Sequence, residues 1–74
     1  MTQPAADQGR ATVNGRPATL EPGTTVAALV AERCPSPRGV AVAINGEVVP
    51  RSTWGRTVVA AGDEVEIVTA AAGG

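Results

Sequence analysis

The chain carries little that can do chemistry by itself, and what it carries sits mostly at its end. It has no histidine and no lysine, a single cysteine at position 34, and six basic residues, all arginine, scattered singly at 10, 16, 33, 38, 51 and 56. The absent lysines rule out a side-chain Schiff base and an isopeptide link to another copy. One cysteine without histidine excludes an internal disulfide framework and the usual Cys/His zinc site. What is left is the last stretch, Thr69-Ala70-Ala71-Ala72-Gly73-Gly74. It follows a strand-like run and loses its side chains as it goes. Extended at about 3.3 Å per residue, six such residues reach about 20 Å, enough for the Gly74 carboxylate to enter another protein's active site. Gly73 and Gly74, lacking Cβ atoms, would pass a constriction that larger residues could not. The sequence therefore predicts a narrow, flexible tail at residues 71–74.

Cys34 invites comparison as a nucleophile. It falls at the end of a predicted helix, where the negative pole of the helix dipole disfavours a thiolate. It reads as a partly buried small hydrophobe.

The elements that must position the tail are short. At 74 residues and a net charge of −1 this is one small domain, which buries about 60% of its unfolded surface. Phe and Tyr are absent and Trp54 is the lone aromatic, so the core must come from Val, Leu, Ile and that tryptophan. No basic stripe or aromatic platform speaks for nucleic acid. No apolar run approaches membrane-spanning length, and no charged segment leads into an apolar one at the start, so the expectation is a cytoplasmic protein.

Residues 1–9 are small and polar without periodicity and read as a disordered leader. Ala11 and Val13 then alternate with Thr12, Asn14-Gly15 tolerates the positive φ of a tight turn, and Ala18 to Leu20 return, which predicts a β-hairpin. Pro17, without an N–H, places the returning strand at a sheet edge. Thr25 is set to cap a two-turn helix whose Val26, Leu29 and Val30 form one stripe, ended by Pro35 and Pro37. Val40, Val42 and Ile44 alternate with Ala41 and Ala43, a strand apolar on both faces and so expected inside the sheet or beneath a partner. Asn45-Gly46 is a second hairpin signal, and Pro50 ends its return. Arg51-Ser52-Thr53-Trp54 reads as a helical turn that sets Trp54 in the core with its indole N–H on a carbonyl. Val58 and Val59 are expected to plug the core. In the last strand Val65, Ile67 and Thr69 are expected to face the helix, and Glu64, Glu66, Val68 and Ala70 the other side. Two hairpins around a helix, with a last strand that must pair, predict an α+β domain: one mixed sheet of about five strands packed on one helix. Its span is residues 10–70.

The block Val40-Ala41-Val42-Ala43-Ile44-Asn45-Gly46-Glu47-Val48-Val49-Pro50-Arg51-Ser52-Thr53-Trp54, then Gly62-Asp63-Glu64-Val65-Glu66-Ile67-Val68, then Gly73-Gly74, resembles the sulfur carrier proteins of thiamin biosynthesis, the ThiS family. The resemblance covers about residues 11 to 74. It is most specific in the Asn-Gly to Pro-Arg-Ser-x-Trp block. Two features depart from the common pattern: a leader of about ten residues, and Ala71-Ala72 in place of more varied residues before Gly-Gly. The resemblance implies a β-grasp, ubiquitin-like fold.

It also implies a chemistry for the tail. A terminal carboxylate, with a pKa near 3.5, is ionised at neutral pH and a poor electrophile, so it must be activated. In the family a ThiF-like adenylyltransferase adenylates it with ATP and Mg²⁺. A persulfide sulfur donor then supplies sulfur, and thiazole synthase takes sulfur from the resulting thiocarboxylate. The chain would be a protein co-substrate, not an enzyme, binding no cofactor of its own. Gly74 would carry the reacting group, with Gly73, Ala72 and Ala71 recognised in the partner's channel. Ala41, Ala43 and Val68 are expected to share the sheet face away from the helix as a partner surface.

Three other readings compete. One is a carrier feeding molybdopterin or cysteine synthesis, although the molybdopterin carrier typically leaves its sheet through a Pro-Pro-rich segment, where this chain has Val68 to Ala72. The others are a modifier conjugated to lysines, and a ubiquitin-like binding module that never uses its end. Replacing Gly74 or adding one residue beyond it separates the module, which would tolerate either change, from a carrier, which would not.

Overall fold

The computed structural model describes residues 10–36 and 38–69. The expectations for the leader at 1–9, for Ala70 and for the tail at 71–74 fall outside them. Two strands, β1 (Arg10–Val13) and β2 (Arg16–Thr19), form the first hairpin, followed by the helix α1 (Val26–Arg33). A second hairpin, β3 (Val40–Ile44) and β4 (Glu47–Val48), leads into a 3-10 helix at Arg51–Arg56 and the last strand, β5 (Glu64–Thr69).

The turns form where the backbone demands it. Asn14 and Gly15 lie at φ 53° and 82°, Asn45 and Gly46 at 52° and 85°. Successive left-handed residues match the twist of paired strands, and Asn-Gly supplies them at least steric cost. Thr25 caps α1 as expected, its hydroxyl accepting from the Ala28 N–H at 3.1 Å. Val26, Leu29 and Val30 turn one buried stripe towards the sheet.

The five strands run in the order β2-β1-β5-β3-β4. The strand formed last in sequence is thus the central one, parallel to β1 and antiparallel to β3. β2, with Pro17, lies at an edge, where a missing N–H costs no ladder bond. β3 lies inside the sheet between β5 and β4. With α1 packed on one face, this is the α+β, β-grasp arrangement.

The core gathers Ala11, Val13, Ala18, Val26, Leu29, Val30, Val42, Trp54, Val59 and Val65. Fully burying a side chain such as Leu29 contributes about 2 kcal/mol, so a set this small leaves little reserve. Trp54 is buried as expected, and its indole N–H donates to the Val49 carbonyl at 3.0 Å. The Arg51 guanidinium lies 5.7 Å from the ring centroid.

Two expectations about side-chain direction are corrected. Val59 is in the core, but Val58 is 52% exposed. Val58 bridges to Thr25 in an extended stretch, where successive side chains point to opposite sides, so the two valines cannot both face inward. Thr69 occupies the helix-side parity of β5 yet is exposed.

Candidate functional site

The described residues closest to the tail are those at the end of β5. That strand is held on both flanks at its start: Thr12 pairs with Glu64 and Val13 with Val65 on one side, while Ile44 pairs with Val65 on the other. Beyond Asn14 the β1 side ends, and only β3 continues, through Ile67 opposite Val42 to Thr69 opposite Val40.

Both hairpin turns grip this strand by asparagine side chains. At its start the Glu64 N–H donates to Asn45 Oδ1 at 2.9 Å, and Asn45 Nδ2 donates to Asp63 Oδ1 at 3.0 Å. The second carboxylate oxygen of Asp63 accepts from the Ala60 N–H at 2.8 Å, closing the turn that leads into the strand. Nearer its end the Ile67 N–H donates to Asn14 Oδ1 at 2.8 Å, and Asn14 Nδ2 donates to the Ile67 carbonyl at 3.2 Å. The Asn14 amide therefore extends the ladder where the β1 backbone turns away. These contacts hold the last described residue, Thr69, in a defined place at the middle of the sheet.

On the sheet face away from α1, Ala41 lies directly opposite Val68, and Ala43 opposite Glu66 on one side and Val48 on the other. Val68 is 62% exposed, Ala41 is exposed and Ala43 half-buried. Val48 joins them with 76% exposure. Sequence reasoning treated Val48 as part of a returning strand and missed its place on this face; its alternation with half-buried Val49 was the available signal. Glu64 and Glu66, exposed on β5, alternate with inward Val65 and half-buried Ile67. The result is a mostly apolar surface of small and branched side chains bordered by carboxylates.

The remaining candidates lie elsewhere. Gly74, Gly73, Ala72 and Ala71 lie outside the described residues. Cys34 is half-buried, packed against the core at the end of α1, where its N–H donates to the Val30 carbonyl at 2.8 Å. It lines a hollow of about 400 Å³ between α1 and the 3-10 helix, together with Val30, Arg51 and Trp54. Among the described residues no three His, Cys, Asp or Glu side chains gather as a metal site, and no helix is long and apolar enough to cross a membrane. What the arrangement offers is a surface and a rigid root for a chain end.

Comparison with known proteins agrees with that description. No curated protein sequence matches the chain. Among solved structures, it is similar to the crystal structure of a thiamine biosynthesis protein (ThiS) from Geobacter metallireducens, with 36% identity over 88% of this chain and 99% of that one, at a TM-score of 0.70. The model of the ThiS family matches residues 11–74, from the first residues of β1 to the last glycine. The chain belongs to the ThiS family, the small sulfur carriers of thiamin biosynthesis.

Proposed function

We propose that this protein carries sulfur as a thiocarboxylate on Gly74 and delivers it for thiazole ring formation. The observation that supports the reading most directly is the position of β5. The central strand of the sheet runs towards the Gly-Gly end, so the tail has its root in the most constrained element of the domain.

The chemistry follows from the carboxylate. Attack by the Gly74 carboxylate oxygen on the α-phosphorus of ATP, in a ThiF-like adenylyltransferase that holds the Mg²⁺, forms an acyl adenylate and releases pyrophosphate. The terminal sulfur of a donor persulfide attacks the acyl carbon and AMP leaves, giving an acyl disulfide. A second thiol takes the donor sulfur into a disulfide and releases the thiocarboxylate. This terminus is then a sulfur nucleophile for thiazole synthase. The chain's own residues perform none of these proton or phosphoryl transfers; they present the terminus and identify the carrier.

Ala41, Ala43, Val68 and Val48 form the surface by which partners recognise the domain. Small and branched apolar side chains lose little entropy on docking, and the flanking Glu64 and Glu66 select partners with basic rims. Gly73, Ala72 and Ala71 let the terminus through a narrow channel.

Intact mass measurement tests the reading. Protein isolated from cells containing its native partners is expected to gain the mass difference between sulfur and oxygen, located in the Gly74 peptide. A Gly74 that is unmodified in such cells and inert towards ATP and a ThiF-like enzyme would sink it.

A further inference from the structure

The end of β5 borders a second surface that the carrier chemistry leaves unassigned. Arg16, just past the first turn, and Arg33, in the last turn of α1, line a hollow of about 370 Å³ together with Asn14, Ile67 and Thr69. Among the described residues no carboxylate lines this hollow. The two arginines come from elements that meet only in the folded domain, and they converge on the last described residue before the tail. Charge is thereby divided along β5: Glu64 and Glu66 mark the outer sheet face, while Arg16 and Arg33 mark the place where the strand ends.

Resting on the carrier reading above, we infer that Arg16 and Arg33 dock carboxylates on the rim of the channel by which the activating enzyme receives the tail. Two observations identify the occupant. Arg16 and Arg33 are exposed, and no acidic group among the described residues lines their hollow, so their charge is open to a partner's carboxylates. The hollow also lies five residues from Gly74, a distance of about 16 Å for an extended chain. With the tail threaded, the nucleotide phosphates at Gly74 are out of reach, and the groups facing the arginines belong to the channel mouth. Arginine suits this role because its guanidinium stays charged throughout the working pH range. Such rim pairs act on encounter and orientation, setting the tail towards the channel before the apolar sheet face seats.

The test is tail-dependent ATP–pyrophosphate exchange by the ThiF-like enzyme, run with wild type, with the Arg16→Glu/Arg33→Glu pair, and with the Arg16→Lys/Arg33→Lys pair. Charge reversal is expected to raise KM by about tenfold or more while kcat stays within about twofold, and the lysine pair is expected to stay within about threefold of wild type. Wild-type KM should climb steeply between about 50 and about 300 mM NaCl, and that of the reversed pair should not. If the reversed pair melts below wild type, the single changes Arg16→Gln and Arg33→Gln replace it, each expected to raise KM about threefold. An unchanged KM with normal exchange overturns the docking inference and leaves the carrier reading standing. A loss in kcat alone overturns it in favour of contact with the nucleotide. Wild-type protein that supports no exchange overturns both.

Discussion

Asn14 and Ile67, 53 residues apart, are joined by both of the bonds that a neighbouring strand would make: the Ile67 N–H donates to the Asn14 side-chain oxygen and the Ile67 carbonyl accepts from its amide nitrogen. A turn residue thus supplies one flank of the strand that carries the tail. Its own backbone N–H also donates to the Val65 carbonyl at 2.8 Å, so one residue fastens two successive inward positions of β5.

Asn14→Gly keeps the left-handed turn and removes only the amide. It should cost about 1 kcal/mol, lowering the melting temperature by about 4–8 °C. Asn14→Ala loses the same bonds and adds the strain of a left-handed non-glycine residue, about 1–2 kcal/mol more. Amide hydrogen exchange gives the direct check: the Ile67 amide should lose protection in both variants. An Ile67 amide as slow as in wild type would show that the side-chain bonds do not hold the strand.

Trp54 supplies the largest ring of a core without Phe or Tyr. Trp54→Ala should destabilise the domain by about 3–5 kcal/mol, a large share of the stability of so small a protein. Trp54→Phe keeps much of the apolar volume but leaves the Val49 carbonyl without its donor, and should fall between the two, at about 1–3 kcal/mol. Urea melts resolve this order, and a Trp54→Ala protein with the wild-type midpoint would contradict the packing.

The outer sheet face makes a different kind of prediction. Val68→Asp and Val48→Asp remove exposed apolar groups outside the core, so stability should change by no more than about 0.5 kcal/mol. Partner binding measured by calorimetry should weaken by about tenfold or more if these valines seat in an apolar pocket. Unaltered affinity for the adenylating enzyme and for thiazole synthase alike would remove this face from the carrier's recognition surface.

One residue appended after Gly74 should leave melting unchanged and abolish acquisition of sulfur, read as the mass of the C-terminal peptide. The added residue turns the Gly74 carboxylate into an amide and carries the free carboxylate about 3.3 Å beyond the position at which the activating enzyme meets it. Replacing Gly74 by a bulky residue tests the channel instead, and should reduce adenylation while keeping the carboxylate.

The parts of this fold set by neighbours in sequence were legible before the structure. Asn14-Gly15 and Asn45-Gly46 announce hairpins because few residue pairs accept two successive positive φ angles. Thr25 and the Val26, Leu29, Val30 spacing announce a capped helix because its hydrogen bonds and its apolar stripe are local. Pro17 places its own strand at an edge by lacking a donor. Val58 was misread beside Val59 because an irregular apolar pair carries no periodicity from which to tell inside from outside.

Sequence by itself thus determined the hairpins, the helix, the mixed sheet and the Gly-Gly end. Tertiary structure alone decided that β5 enters between β1 and β3, that Asn14 and Asn45 grip it at both ends, and that Arg16 and Arg33 line one hollow beside Thr69. Chain spacing says nothing about these meetings, because each joins segments whose separation in sequence is bridged only when the apolar faces of helix and sheet close on one another. That closure is driven by burial, which is non-directional, so the precise neighbours are chosen by the packing of the whole domain.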